Sequence, residues 1–202
     1  FMYTVAPFAQ DLKNGKEGCL ANSEFGDGYD VLVPDPPGGP VRLDTLLDYK
    51  VAILLGKYGL QAPLAARLMD YVRKGGTLVV TAKDDGLRGR DDLTVTGGSI
   101  TVTSTGDGLT SDNEEDATLG NLVIEDGTLD VTSGGDGLAA VGTVTVNGGS
   151  LTVKSGGGST KTVSSTASAK GIKGSRGVTL TGGTFVIDGA DEVTVRLTDK
   201  RE

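Results

Sequence analysis

The chain has 202 residues, 27 acidic and 19 basic side chains, a formal net charge of −8 and no histidine. Without histidine, Ser-His-Asp and Cys-His catalysis are excluded and the commonest zinc ligand is missing. The one cysteine, Cys19, excludes an internal disulfide, and no apolar run is long enough to span a bilayer.

Composition divides the chain in two. All six prolines lie at or before Pro63, and eight of the nine Phe and Tyr residues lie at or before Tyr71. Residues 1–83 carry nine basic and nine acidic side chains, whereas residues 84–202 carry ten and eighteen, so the net charge belongs to the second part. Between Asp85 and Asp136 twelve acids stand against Arg88 and Arg90. That balance argues against nucleic acid, whose affinity comes from phosphate neutralisation. It argues for cations, or for a polyanion held through cations. The start at Phe1 reads as a cut within a longer protein, so the lack of a signal peptide says little about compartment.

In the first part, residues 29–33 (YDVLV) and 49–55 (YKVAILL) are expected to be short buried strands, with the turn-rich DPPGGP between them. Leu60 to Lys74 has Leu64, Leu68 and Tyr71 at helical spacing, and Gly75-Gly76 ends the pattern. TLVVTA (77–82) is a further strand, giving a βαβ unit with a parallel sheet. Neither EFGDGYD nor DPPGGP has the spacing of a phosphate loop. YDVLVPDPPGGP, YKVAILLG and YVRKGGTLVVTA together resemble the glutamine-amidotransferase-like, flavodoxin-like domains that follow the barrel of some glycoside hydrolases. True amidotransferases use a nucleophilic Cys on a strand-to-helix elbow and a His. Cys19 has neither context nor partner, so it is read as a buried or incidental thiol in an incomplete, non-catalytic scaffold.

The second part repeats. Asp85-Gly86-Leu87, Asp107-Gly108-Leu109, Asp136-Gly137-Leu138 and Lys170-Gly171-Ile172 each precede an alternating run broken by a small turn. The runs are LTVTGGSITVTS (93–104), LVIEDGTLDVTS (122–133), VTVNGGSLTVKS (144–155) and VTLTGGTFVIDG (178–189). A shortest period of about 22 residues suits one coil of a β-solenoid. A β-sandwich is the other architecture open to such strands. Alternation places Leu93, Val95, Ile100, Val102, Val123, Leu129 and Val131 inside. It continues with Val144, Val146, Leu151, Val153, Val178, Leu180, Phe185 and Ile187, leaving Thr and Ser outside. Long insertions fall at Ser111–Asn121 and Gly156–Ser168.

In a solenoid, equivalent residues stack about 4.8 Å apart, so Asp85, Asp107 and Asp136 form a column of carboxylates. Calcium takes roughly six to eight oxygens, and such a ladder can supply them. Asp112, Glu114 and Asp116, in the loop after Leu109, can fold over it. The candidate metal ligands are therefore Asp85, Asp107, Asp136, Asp112, Glu114 and Asp116; no EF-hand pattern is present. Lys170 takes the aspartate phase one coil on, with Lys173 and Arg176 nearby, where it can either pair with Asp136 and cap the column or meet a sugar carboxylate. Lys170, Lys173 and Arg88 are the candidate sugar contacts. No catalytic residue is assigned.

DDGLRGRDDLTVTGGSITVTS, GDGLTSDNEEDATLGNLVIEDGTLDVTSGGDGLAA and SAKGIKGSRGVTLTGGTF closely resemble a family of bacterial carbohydrate-binding proteins with a right-handed parallel β-helix, related in shape to pectate lyases. The resemblance covers roughly residues 84–190. It implies calcium, recognition of cellulose-like and acidic sugars such as polygalacturonate, and a secreted or surface-held protein. Family members usually continue with a further Asp-Asp coil where this chain has ADEVTVRLTDKRE. The expected fold class is thus mixed: a partial α/β, flavodoxin-like segment over residues 1–83, then a right-handed single-stranded parallel β-helix over 84–202 that binds carbohydrate. Two other readings stay open. One is a pectate-lyase-like enzyme, in which a Lys or Arg beside calcium takes the proton α to a uronate carboxyl. The other is a purely structural solenoid.

Overall fold

The computed structural model describes residues 2–5, 29–32, 43–47, 50–55, 62–162, 164 and 168–191. Among these described residues, four strands belong to the first part: β1 (Met2–Val5), β2 (Tyr29–Leu32), β3 (Val51–Leu55) and β4 (Thr77–Ala82). Helix α1 (Leu43–Leu47) lies between β2 and β3, and α2 (Ala62–Arg73) between β3 and β4.

After β4 the chain passes repeatedly through three short strands. The first rung is β5 (Leu87–Gly89), β6 (Asp92–Val95) and β7 (Ser99–Ser104). The second is β8 (Leu109–Ser111), β9 (Asn121–Ile124) and β10 (Thr128–Ser133). The third is β11 (Leu138–Ala140), β12 (Thr143–Val146) and β13 (Ser150–Ser155). The last is β14 (Ile172–Gly174), β15 (Gly177–Leu180) and β16 (Thr184–Gly189).

Each strand pairs in parallel with its equivalent in the next rung. The result is an eight-stranded sheet, order β16-β13-β10-β7-β4-β3-β1-β2, and two four-stranded sheets, β14-β11-β8-β5 and β15-β12-β9-β6. The register is strict: Leu78, Ile100, Leu129, Leu151 and Phe185 form one row, and Leu87, Leu109, Leu138 and Ile172 another. These rows converge on one apolar core in which Leu109, Leu122, Ile124, Leu138, Val144 and Val146 are fully buried. Stacked repeats of this kind are compatible with a solenoid.

The expected flavodoxin-like α/β segment is not seen among the described residues, and the mixed fold class is corrected accordingly. The protein is mostly β with parallel sheets, and β4 pairs along its whole length with β7 (Leu78 with Ile100, Val80 with Val102). The first part therefore extends the sheet of the repeats and is not a doubly wound layer of its own. Leu64, Leu68, Tyr71 and Val72 of α2 join the same core as Leu78, Val80, Val95 and Ile100. The helix caps one end of the stack. Gly75, at φ 96°, turns the chain out of α2, and Gly76 N–H donates to the Tyr71 carbonyl at 3.0 Å. The likeness to glutamine-amidotransferase-like domains has no support here, and Cys19 lies outside the described residues.

Two expectations about the interior also change. Val123 faces outward, while its neighbours Leu122 and Ile124 are buried, because Leu93 pairs with Leu122 and Val95 with Ile124. In the last rung, Val178, Leu180 and Ile187 are exposed, since no described strand stacks on that face. Both long insertions sit at corners and leave the pairings on either side intact.

Close stacking makes Gly108 a sensitive position. A Cβ there would overlap Val131 Cγ1 and the Gly137 carbonyl oxygen. Gly108→Ala should destabilise the protein by about 1–3 kcal/mol, as overpacking does. Urea or thermal unfolding checks this, and an unchanged midpoint would show that the rungs are not held so tightly.

Candidate functional site

The Asp-Gly-Leu repeats sit at the corner entering the second sheet. There Gly86 N–H donates to the Asp107 carbonyl and Gly108 N–H to that of Asp136, both at 2.9 Å. This backbone pairing stacks the three aspartates as the repeat phase predicts. Each carboxylate then reaches the next rung's amide. Asp107 N–H donates to Asp85 Oδ1 at 2.9 Å, and Asp136 N–H donates to Asp107 Oδ1 at 2.8 Å. Lys170 N–H donates to Asp136 Oδ1 at 2.8 Å. The column is a ladder of charge-assisted hydrogen bonds, the stronger kind.

Its members differ in what remains to them. Asp136 is only 2% exposed and is fully engaged. Besides the Lys170 amide it accepts from Ser168 Oγ at 2.7 Å, and Lys173 Nζ lies 3.0 Å from its Oδ2. A buried carboxylate requires such partners. Asp107 is less well served. Burial pushes its carboxyl above the ordinary aspartate value, and the charges of Asp136 and Asp85 push the same way; the Asp136 amide and Lys173 act against them. The second oxygens of Asp85 and Asp107 have no hydrogen-bond partner among the described residues.

The acidic loop is organised by a residue that the sequence pattern did not single out. Asn113 is buried and donates from Nδ2 to Asp91 Oδ1 at 2.7 Å. Its Oδ1 accepts the amides of Glu115 and Asp116 at 2.9 and 3.0 Å. Within a run of acids, the lone amide is the side chain that can both donate and accept; that was the available signal. Asp112 pairs with Arg88 through Oδ2, while its Oδ1 is buried with no hydrogen-bond partner. Asp112, through that hydrogen bond and its charge, is the main cause of the raised Arg88 value, with Asp85 and Asp84 adding to it. Asp116 accepts from the Thr118 hydroxyl and amide, which hold its carboxyl below the usual range. Glu114 is exposed.

The structure thus gathers Asp85, Asp107 and Asp136 into a column, with Lys170 and Lys173 at its end and Arg88 between it and Asp112. Glu114 and Asp116 are not joined to it by any described contact. Among the described residues, no three carboxylates converge as a ready metal cage. A cation would find oxygens on Asp85 and Asp107, not on Asp136. Lys170 Nζ pairs with Asp191, whose N–H donates to the Ala169 carbonyl.

Asp107 sets a sign for pH dependence. Its folded pKa lies above the unfolded value of about 3.9, so the folded state binds the proton more tightly. Its contribution to stability therefore rises as pH falls through the folded pKa and is complete below the unfolded one. Asp107→Asn keeps the oxygen that receives the Asp136 amide and removes the charge. In chelator, it should melt higher than the wild type at pH 7, with a smaller gain as the pH falls through the aspartate range. Parallel pH profiles for the two proteins would show that this burial costs nothing.

Residues 69–199 match the model of a family described as carbohydrate-binding domain-containing protein. No curated protein and no solved structure matches the chain. Among the described residues, no helix is long and apolar enough to cross a membrane. With well over half of its length matched, through every rung and the Asp column, the chain belongs to the family of carbohydrate-binding domain-containing proteins.

Proposed function

We propose that the chain is a calcium-dependent module that holds acidic polysaccharide, such as polygalacturonate, without cleaving it, and works outside the cell or at its surface. Family membership supports the carbohydrate. The observation that carries calcium is the position of Asp107. It is half-buried between two carboxylates, with a raised pKa and an oxygen to spare. A divalent cation beside Asp85 and Asp107 would relieve that repulsion and satisfy those oxygens. Bound there, calcium would supply a positive centre for a sugar carboxylate.

Lys170, Lys173 and Arg88 surround this corner with side chains roughly half exposed, so each can offer a charge-assisted hydrogen bond to a uronate. All three already touch carboxylates: Asp191, Asp136 and Asp112. That commitment favours binding over the lyase reading, which needs a lysine or arginine free to take a proton. Residues 84–202 would carry this surface, and residues 1–83 would close one end of the stack.

Retention on polygalacturonate, with calcium and with chelator, tests the proposal. Calcium should raise retention and add stability, by about 2.7 kcal/mol at a hundredfold excess over Kd. Asp107→Asn should weaken calcium binding at least tenfold in a calorimetric titration. Asp188→Asn should leave it unchanged, because Asp188 is bonded to the Ser159 amide at 2.6 Å and has no described contact with the column. Equal retention and equal melting with and without calcium would sink the metal reading. Release of unsaturated uronides, followed by ultraviolet absorbance, would restore the lyase.

A further inference from the structure

Arg88 and Arg90 are the only basic side chains between Asp85 and Asp136. Both are exposed, yet both are already occupied. Arg88 Nη2 donates to Asp112 Oδ2, and Arg90 Nη2 donates to Glu115 Oε1 at 2.8 Å. Both acids come from the loop between β8 and β9, one rung further on. That loop carries Asp112, Glu114, Glu115 and Asp116 and no base over residues 111–121. A guanidinium facing a carboxylate is the same pairing that a uronate would make with these arginines. The protein thus supplies from its own chain the group that its ligand would bring.

The backbone of the loop does not depend on these two pairs. Asn113 ties it to Asp91 and holds the amides of Glu115 and Asp116. Asp116 accepts from Thr118, and Arg176 donates to the Leu119 carbonyl. Asp112 and Glu115 can therefore turn their carboxylates away from the arginines while the loop stays in place. Their grip is weak for two reasons. Exposed ion pairs contribute little. Docking also leaves Asp112 Oδ1 buried with no hydrogen-bond partner, which opposes the docked arrangement. A contact that is weak, local and chemically equivalent to the ligand is one that an anionic chain can displace.

We propose that Asp112 and Glu115 form an autoinhibitory contact, a tethered stand-in for ligand carboxylates that an acidic glycan must displace from Arg88 and Arg90. This rests on the acidic-polysaccharide reading above. It adds Arg90 to that surface and gives Asp112 and Glu115 a restraining part. Tethering makes the competitor intramolecular, so it acts at an effective concentration that dilution does not lower. A sparsely charged chain loses to it. A polyanion that reaches both arginines at once does not, so the contact selects for dense charge.

The test uses the whole chain on polygalacturonate gel, in calcium and in chelator. Asp112→Asn/Glu115→Gln removes both charges and keeps side-chain shape. In chelator it should be retained about fivefold more strongly than the wild type, the order expected when weak exposed pairs are removed. It should melt within a few degrees of the wild type. Asp126→Asn/Asp130→Asn makes the same change in net charge at exposed positions outside the loop, and should leave retention near the wild-type value. Adding Arg88→Gln/Arg90→Gln to the first variant should abolish its gain. A second readout needs no glycan. Phenylglyoxal, which modifies guanidinium groups, should label Arg88 and Arg90 faster in Asp112→Asn/Glu115→Gln than in the wild type, as located by peptide mass spectrometry. Equal gains from the two acid pairs overturn the proposal by showing an effect of net charge alone. A gain that survives loss of the arginines overturns it too, as does equal labelling. Wild-type retention that Asp112→Asn/Glu115→Gln does not exceed in either condition overturns this proposal and leaves the acidic-polysaccharide reading standing. No retention of any of these proteins in either condition overturns both.

Discussion

Everything in this protein depends on the register of parallel pairing between rungs. Backbone hydrogen bonds set each strand on its equivalent with no slip, from Thr77 and Ser99 through Thr128, Ser150 and Thr184. A slip of one residue would send the apolar rows into solvent and the threonines into the core. Once register holds, like stacks on like. Leucines and valines merge into one core, glycines pack against valines, and aspartates lie over aspartates. The core arrangement favours folding, whereas the aspartate arrangement opposes it. Ser104, Ser133 and Ser155, buried at one corner, show how the fold handles polar groups inside: each hydroxyl donates to a nearby carbonyl.

The aspartates illustrate a compromise between hydrogen bonding and charge. Each carboxylate fixes the amide of the next rung, so the column helps to hold the register that created it. Yet three negative groups in partial burial repel one another. The protein settles this at one end only, where Lys173, Ser168 and the Lys170 amide surround Asp136. Replacing aspartate by lysine at position 170 ends the run of like charge. What is left unsettled is at Asp107 and Asp85, while in the acid-rich loop Asn113, Arg88 and Thr118 engage Glu115, Asp112 and Asp116.

Much of this was legible in the sequence wherever periodicity was strong. The recurrence of Asp-Gly-Leu at one phase gave the column, and the Gly-Gly and Asp-Gly turns gave the rung corners. The strands and helix of the first part fall close to their expected places. Their assembly was not legible, because strand and helix boundaries do not say which edge a strand will join; β4 joins β7, and α2 covers the end of the stack. At 122–124, Leu, Val and Ile stand in succession, so alternation alone does not choose its parity; pairing with Leu93 and Val95 does. Asn113 was hidden among acids, and its role depends on Asp91, 22 residues away.

The two corner insertions have a consequence for how such a protein changes over time. Between β8 and β9, and between β13 and β14, the chain leaves the stack and returns to the same register. Leu138 still pairs with both Leu109 and Ile172, and Val144 with both Leu122 and Val178. Loop closure entropy grows only slowly with length, so residues can be gained or lost at these corners at little cost to the core. Rung geometry and surface chemistry are thereby separable. Selection, or an engineer, can rewrite what is displayed beside the Asp column while the apolar rows beneath stay as they are.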